Sequence, residues 1–156
     1  MTSFVDLHCH STASDGTLAP SQVVALAVRN GLSALALTDH DTVAGVPEAA
    51  DAAREGGLDF LCGIEISCDV PKPATMHLLG YGVDPDSPAL LGMTKRLIDA
   101  RNDRNPRIIR KLNGLGVAIT MPEVEAEAGG DVVGRPHIAA VLVRKGYASS
   151  TKQAFD

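Results

Sequence analysis

The chain has 156 residues, enough to bury a core but short of the ~250 residues that a (β/α)8 barrel usually takes. With 45% hydrophobic and 21% charged residues it is neither disordered, collagenous nor coiled-coil, and no apolar run approaches the ~18 residues of a membrane span. Fourteen basic residues against nineteen acidic ones give a net charge of −5, which disfavours non-specific nucleic-acid binding, and 3% aromatics without tryptophan disfavour a base-stacking surface. Phe4–His8 is a short strand candidate, followed by a polar loop from His10 to Gly16 and a helix that Pro20 opens and Gly31 closes. Leu32–Thr38 reads as a strand buried on both faces, and a second helix starts at Pro47 and ends at Gly56 and Gly57. Phe60–Ser67 and Met76–Val83 follow as third and fourth strands. Strands alternating with helices predict right-handed βαβ crossovers and a parallel sheet.

Beyond residue 86 the texture changes. A long charged helix is predicted from Ala89 to Asn113, bent at Pro106 and stopped by Gly114 and Gly116, and shorter helices follow over Pro122–Ala128 and Pro136–Lys145. Residues 1–86 are thus expected to form strand–helix units and residues 87–156 a helical insertion. Seven basic residues (Lys95, Arg96, Arg101, Arg104, Arg107, Arg110, Lys111) face only Asp99 and Asp103 in the window 95–111, so an anion is attracted locally. Three cysteines, Cys9, Cys62 and Cys68, lack CxxC spacing and read as reduced thiols in strands. The N-terminal residues have neither the basic start nor the apolar stretch of a signal peptide, so a cytoplasmic location is expected.

Asp6-Leu7-His8-Cys9-His10 carries the strongest chemical signal. Strand alternation sends His8 and His10 to one side and Cys9 to the other, so two imidazoles converge. Each of the first four strands also ends near a metal-binding side chain: Asp15 follows the first, Asp39, His40 and Asp41 the second, and Glu65 and His77 lie on the third and fourth. In parallel α/β architectures such groups gather at the carboxyl ends of the strands. Six candidate ligands, mixed imidazole and carboxylate, exceed the needs of one tetrahedral ion and suit Zn²⁺, Mn²⁺, Fe²⁺ or Co²⁺ better than Ca²⁺ or Mg²⁺. Glu65, on a central strand, is the bridging candidate. Either Asp39 or Asp41 orients an imidazole from behind, or both are solvated loop carboxylates. A site with more than one metal ion suits phosphoester hydrolysis, because it lowers the pKa of a bound water and clamps the oxygens of an in-line displacement.

The motifs Asp6-Leu7-His8-Cys9-His10-Ser11, Ser14-Asp15-Gly16, Ala36-Leu37-Thr38-Asp39-His40-Asp41, Gly63-Ile64-Glu65-Ile66-Ser67 and His77-Leu78-Leu79-Gly80-Tyr81 resemble the successive motifs of the PHP (polymerase and histidinol phosphatase) family. The resemblance implies the N-terminal part of a distorted (β/α)7 TIM-like barrel with a helical insertion, and two to three divalent ions (Mn, Fe, Zn or Co) at the strand ends. It implies His8, His10, Asp15, His40, Glu65 and His77 as ligands, with the reactive hydroxide held by His8, His10 and Glu65. The segment Gly134-Arg135-Pro136-His137-Ile138-Ala139 resembles the insertion of stand-alone nucleotide phosphoesterases, which remove the 3′-phosphate of nucleoside 3′,5′-bisphosphates or trim RNA from its 5′ end. Pro136 suits a first helical position, and a helix N-terminus favours phosphate. By this resemblance Arg135 and His137 grip substrate phosphate, with Arg104 as the favoured member of the stripe Arg101, Arg104, Arg107. The expected partners are a nucleotide or short RNA, with no stable duplex DNA and no membrane.

Two rival readings stand beside this one: a histidinol-phosphate-type phosphatase, and a non-catalytic metal-binding PHP module. The His-Pro motif and the later Asp-x-His motif that the resemblance implies for further barrel strands do not appear after His77, the single Asp-x-His of the sequence being Asp6-Leu7-His8. The expectation is therefore the N-terminal part of a longer protein, whose isolated sheet edges promote self-association and whose metal shell is incomplete.

Overall fold

The computed structural model describes residues 4–71, 76–130 and 132–155; positions 1–3, 72–75, 131 and 156 lie outside the described residues. The order of elements is β1 (Phe4–Cys9), α1 (Pro20–Arg29), β2 (Leu32–Leu37), α2 (Val46–Gly56), β3 (Asp59–Cys68), β4 (Met76–Tyr81), α3 (Pro88–Gly114), α4 (Met121–Ala128), α5 (Arg135–Arg144) and α6 (Thr151–Phe155). The strands form one sheet in the order β1-β2-β3-β4. This mixed α/β architecture, with a curled four-stranded sheet, agrees with the partial barrel that the sequence resemblance implies.

β1, β2 and β3 are parallel, joined through α1 and α2 as the alternation predicts. β4 corrects the prediction, since it runs antiparallel to β3, with Glu65 opposite Leu79 and Ser67 opposite His77. The physical reason is the connection: a parallel crossover takes roughly a dozen residues or more, and the interval between Cys68 and Met76 is too short for one. β3 changes partners along its length. Its first residues, from Asp59 to Cys62, pair with β2, and those from Gly63 to Cys68 pair with β4. Glu65 lies in the second stretch and also forms an isolated parallel bridge with His40.

α1 and α2 cover one face of the sheet. Val23, Val24 and Ala27 of α1 and Ala49 and Ala53 of α2 pack on Leu35 and Leu37, and the two alanines let the helices approach closely. A separate core, including Ile109, Val124, Val133, Ile138 and Val141, joins α3, α4 and α5. α3 continues as one helix through Pro106. α6 was not expected from the sequence; its start uses Ser150 Oγ as acceptor for the Gln153 N–H, while Gln153 accepts from Ser149. That Ser-x-x-Gln spacing is a recognisable start signal, in a helix too short to show periodicity. Among the described residues no helix is long and apolar enough to cross a membrane.

Candidate metal centre and its facing cleft

His8 and His10 converge as the alternation of β1 requires, and loops bring Asp15 and His40 beside them. His77 corrects the expectation of a carboxyl-end position, since it stands at the start of β4, which the antiparallel pairing brings to the same rim. His8 and His10 leave β1 on one side. Cys9 turns the other way, packs against the sheet–helix core and donates its thiol hydrogen to the Ala36 carbonyl at 3.2 Å. Burial above all, with the charges of Asp6 and Asp39, pushes the Cys9 thiol up to about 12, so it is not poised to ligate as a thiolate.

Glu65 is the centre of the cluster. Its Oε2 lies 3.0 Å from His8 Nε2, 3.0 Å from His10 Nε2 and 3.4 Å from His40 Nδ1, while Oε1 lies 2.8 Å from His77 Nδ1. Asp15 closes the other side, with Oδ1 3.4 Å from His10 Nδ1 and Oδ2 3.5 Å from His40 Nε2. All six sequence-expected ligands therefore meet. They divide into three donor groups, His8/His10/Glu65, His10/Asp15/His40 and His40/Glu65/His77, each with its ligand atoms within 4.8 Å of one another. His10, His40 and Glu65 each belong to two groups.

The protonation states suit cation binding. Burial opposes ionisation of Glu65, but the His8 hydrogen bond and the neighbouring His40, His77 and His10 outweigh it and hold the acid below its ordinary range. His40 is also depressed, chiefly by burial and in spite of Asp15 and Glu65, which favours the neutral imidazole. Its Nδ1 is buried and makes no hydrogen bond despite lying 3.4 Å from Glu65. A buried ring nitrogen without a hydrogen-bond partner, set among carboxylate and imidazole donors, is one that a divalent transition-metal ion would satisfy. The donor set fits such ions.

Asp39 and Asp41 are both buried, which removes the solvated-surface alternative. Asp39 accepts from the Ser11 N–H at 2.7 Å, from Ser11 Oγ at 2.6 Å and from Ser14 Oγ at 2.6 Å. Ser14 in turn lies 3.5 Å from His10 Nδ1 and 3.4 Å from Asp15 Oδ1. Asp39 thus reaches the rim through a serine. Asp41 bonds no histidine; it accepts from the Ser67 N–H at 2.7 Å and from Arg101. Although burial opposes its charge, those partners hold its acid below the ordinary carboxylate range.

A cleft of about 290 Å³ runs between the rim and the helical region, with Asp15, His40 and His77 on one wall and Arg101, Arg104 and Arg135 on the other. Burial, then repulsion from Arg101 and Arg135, lowers the pKa of the Arg104 guanidinium, partly offset by Asp41. Arg107 is exposed and turned to the Asp103 carbonyl, outside the cleft lining. Arg101, which sequence reasoning left within the stripe, was marked only by its one-turn spacing from Arg104. Arg135 and His137 occupy the first turn of α5 as expected, but His137 is buried and does not line the cleft. Its Nδ1 accepts the Gly134 N–H at 3.0 Å, which places the proton of the neutral ring on Nε2. Burial above all depresses its pKa; Arg101 adds to this, and Asp15 and Glu127 oppose it.

Comparison with known proteins agrees with this geometry. The PHP domain family matches residues 6–127. The chain is 39% identical to a 5′-3′ exoribonuclease of Haemophilus influenzae, covering 99% of this chain and 56% of that protein. It is 35% identical to a 3′,5′-nucleoside bisphosphate phosphatase of Chromobacterium violaceum, covering 97% of this chain and 53% of that protein. A solved structure from Bifidobacterium adolescentis, assigned as a metal-dependent phosphoesterase, superposes with a TM-score of 0.88 at 37% identity, over 97% of this chain and 53% of its own. The chain spans about half the length of the curated relatives it matches.

Proposed function

Because this chain belongs to the PHP domain family, we propose that it carries the metal-binding rim and substrate cleft of a cytoplasmic metal-dependent phosphoesterase acting on nucleoside 3′,5′-bisphosphates or short RNA. One observation carries the reading: of the six clustered metal-binding side chains, Asp15, His40 and His77 line the same cleft as the guanidinium groups of Arg101, Arg104 and Arg135. A substrate with two phosphates has a partner for each, one at the rim and one at the arginines. His8, His10, Asp15, His40, Glu65 and His77 would hold two to three divalent ions. Manganese, iron, zinc or cobalt ions, when bound, supply Lewis-acid activation of water and neutralise phosphate charge.

The chain's own groups do the rest. Glu65 holds the donors of two neighbouring groups in one place, and Asp15 does so for His10 and His40. Asp39 fixes the Ser11–Ser14 loop and so orients Asp15 and His10. Arg135 and Arg104 bind and orient the distal phosphate, where two guanidinium forks match its oxygens. His137 supports them by satisfying the Gly134 N–H, which sets the start of α5 and the placement of Arg135.

The test is substrate preference. The protein should release phosphate faster from a nucleoside 3′,5′-bisphosphate than from a 5′-monophosphate, and Arg135→Ala should remove that preference, at a cost of about 2 kcal/mol for the unpaired phosphate oxygen. Faster turnover of histidinol phosphate would favour a phosphatase of that type instead.

A further inference from the structure

Arg101 sits where four segments of the chain meet. Its Nε donates to Asp41 Oδ2 at 2.8 Å, one terminal nitrogen donates to the same oxygen, and that nitrogen also donates to Ser67 Oγ at 2.9 Å. The other terminal nitrogen lies 3.5 Å from where a side chain at Gly134 would begin, beside the first turn of α5. Asp41 is fastened equally firmly. Its side chain is fully buried, its Oδ1 accepts the Ser67 N–H, and its own N–H donates to the Glu65 carbonyl at 2.8 Å. Its φ of +56° is the one positive value at a non-glycine position among the described residues, in the region that Asn and Asp tolerate best. One carboxylate therefore ties the strand bearing Glu65 to the helix bearing Arg104.

The charges add a second point. Among the described residues Asp41 is the sole carboxylate ion-paired with any of the three cleft arginines. Arg104 is braced differently, by hydrogen bonds to Asn105 Oδ1 at 3.0 and 3.2 Å, and the fully buried Asn105 passes the contact on to the Val133 carbonyl at 2.8 Å. Arg101 is committed to the frame, whereas among the described residues Arg104 and Arg135 form no ion pair with an acid.

We propose that Asp41, acting through Arg101, is a positioning residue that fixes the spacing between the strand-end rim and the Arg104/Arg135 wall, and so makes the cleft selective for a substrate bearing two anionic groups. The proposal rests on the phosphoesterase reading. A spacing held by a buried ion pair and three hydrogen bonds lets one substrate engage both walls at once, whereas a monophosphate needs only one wall and is less sensitive to their separation. If Asp41 served only to balance charge, its removal would leave the cleft more positive and bind anions more tightly.

The experiment uses the full protein with D41N, R101Q and the double variant. Asparagine tolerates the same backbone conformation and can still accept from Ser67, but lacks the charge that holds Arg101. Affinities for a nucleoside 3′,5′-bisphosphate and the matching 5′-monophosphate are measured by titration calorimetry, with KM and kcat for the bisphosphate alongside. We expect each single variant to lower the bisphosphate-to-monophosphate affinity ratio at least about tenfold, through KM more than kcat. The double variant should lose no more than the worse single one, because both substitutions break one interaction. R101K, which keeps the charge but not the planar fork, should lose the ratio too, and decides the matter if D41N does not fold. A ratio retained in D41N or R101K, tighter binding of both ligands, or losses that multiply in the double variant would overturn the proposal alone. A wild-type protein without any bisphosphate preference would overturn the functional reading together with it.

Discussion

The strand-end rim and the helical wall place charged groups in two different ways. On the rim, the functional side chains other than Asp15 lie in a strand or just after one, where a two-residue repeat and an inter-strand backbone ladder decide their direction. His8 and His10 follow from β1, and His40 is held by the exchange of hydrogen bonds between Asp39, Asp41 and Glu65, whose N···O distances are 3.1 and 2.8 Å. On the helical wall the backbone decides much less. A helix sets Arg101, Arg104 and Arg107 roughly one turn apart, yet Arg101 and Arg104 line the cleft and Arg107 faces outward. Long flexible cations are placed by what they touch, here Asp41, Ser67 and Asn105, whereas short imidazoles are placed by the strand that carries them.

The comparison breaks first at Glu65. Glu65→Gln keeps the shape but removes the charge shared by two donor groups, and should lower bound transition metal and activity by at least ~100-fold in affinity terms, a larger loss than any cleft arginine would give. Elemental analysis after gel filtration reads it directly; full metal content in Glu65→Gln would remove this residue from the centre of the rim.

Asp39→Asn probes the layer behind the rim. The amide can keep one of the two Ser11 contacts but must present a donor where a second is accepted, so the Ser11–Ser14 loop and Asp15 lose their fixed position. A fall of ~10–100-fold in metal affinity is expected, measured by competition with a chelator. An unchanged affinity would mean that Asp39 serves the fold and not the ligands.

The smallest effect belongs to the helical region and depends on pH. His137 is held neutral, with its folded pKa below its unfolded one of about 6.5. Its stabilising contribution is therefore present in full above the unfolded value and declines as pH falls through it towards the folded one, because the unfolded chain takes up the proton first. Wild type should lose stability between pH 7.5 and 5.5 more steeply than His137→Gln, whose side-chain oxygen can still accept the Gly134 N–H. Urea melts at the two pH values make the comparison, and parallel slopes would show that this ring does not titrate on unfolding.

The same contrast explains what could be read before the structure. His8 and His10 were legible from the alternation of β1, and Asp15, His40, Glu65 and His77 from metal-binding residue types in or after successive strands, signals that survive in one dimension. The direction of β4 was missed because alternation was extended across an interval too short for a crossover. Asp39 and Asp41 stayed ambiguous because a loop carboxylate reads the same whether it meets solvent or Ser11, Ser14 and Arg101 from distant segments. The phosphate role of His137 comes from the family resemblance alone, and its hydrogen bond to the Gly134 N–H, which occupies one ring nitrogen, could not be read from the sequence. α6 left a start signal at Ser150 and Gln153 without enough residues behind it to show a face.

β3 exchanges one neighbour for another partway along, and Glu65 lies in the stretch where both sides of its backbone are occupied, by the loop after β2 and by β4. The backbone under this carboxylate is therefore held from both flanks, and any adjustment of the space around it falls to the Glu65 side-chain rotamers or to a spreading of the sheet. The stiffness of the rim thus originates in the hydrogen bonding of the sheet as well as in the side chains it carries.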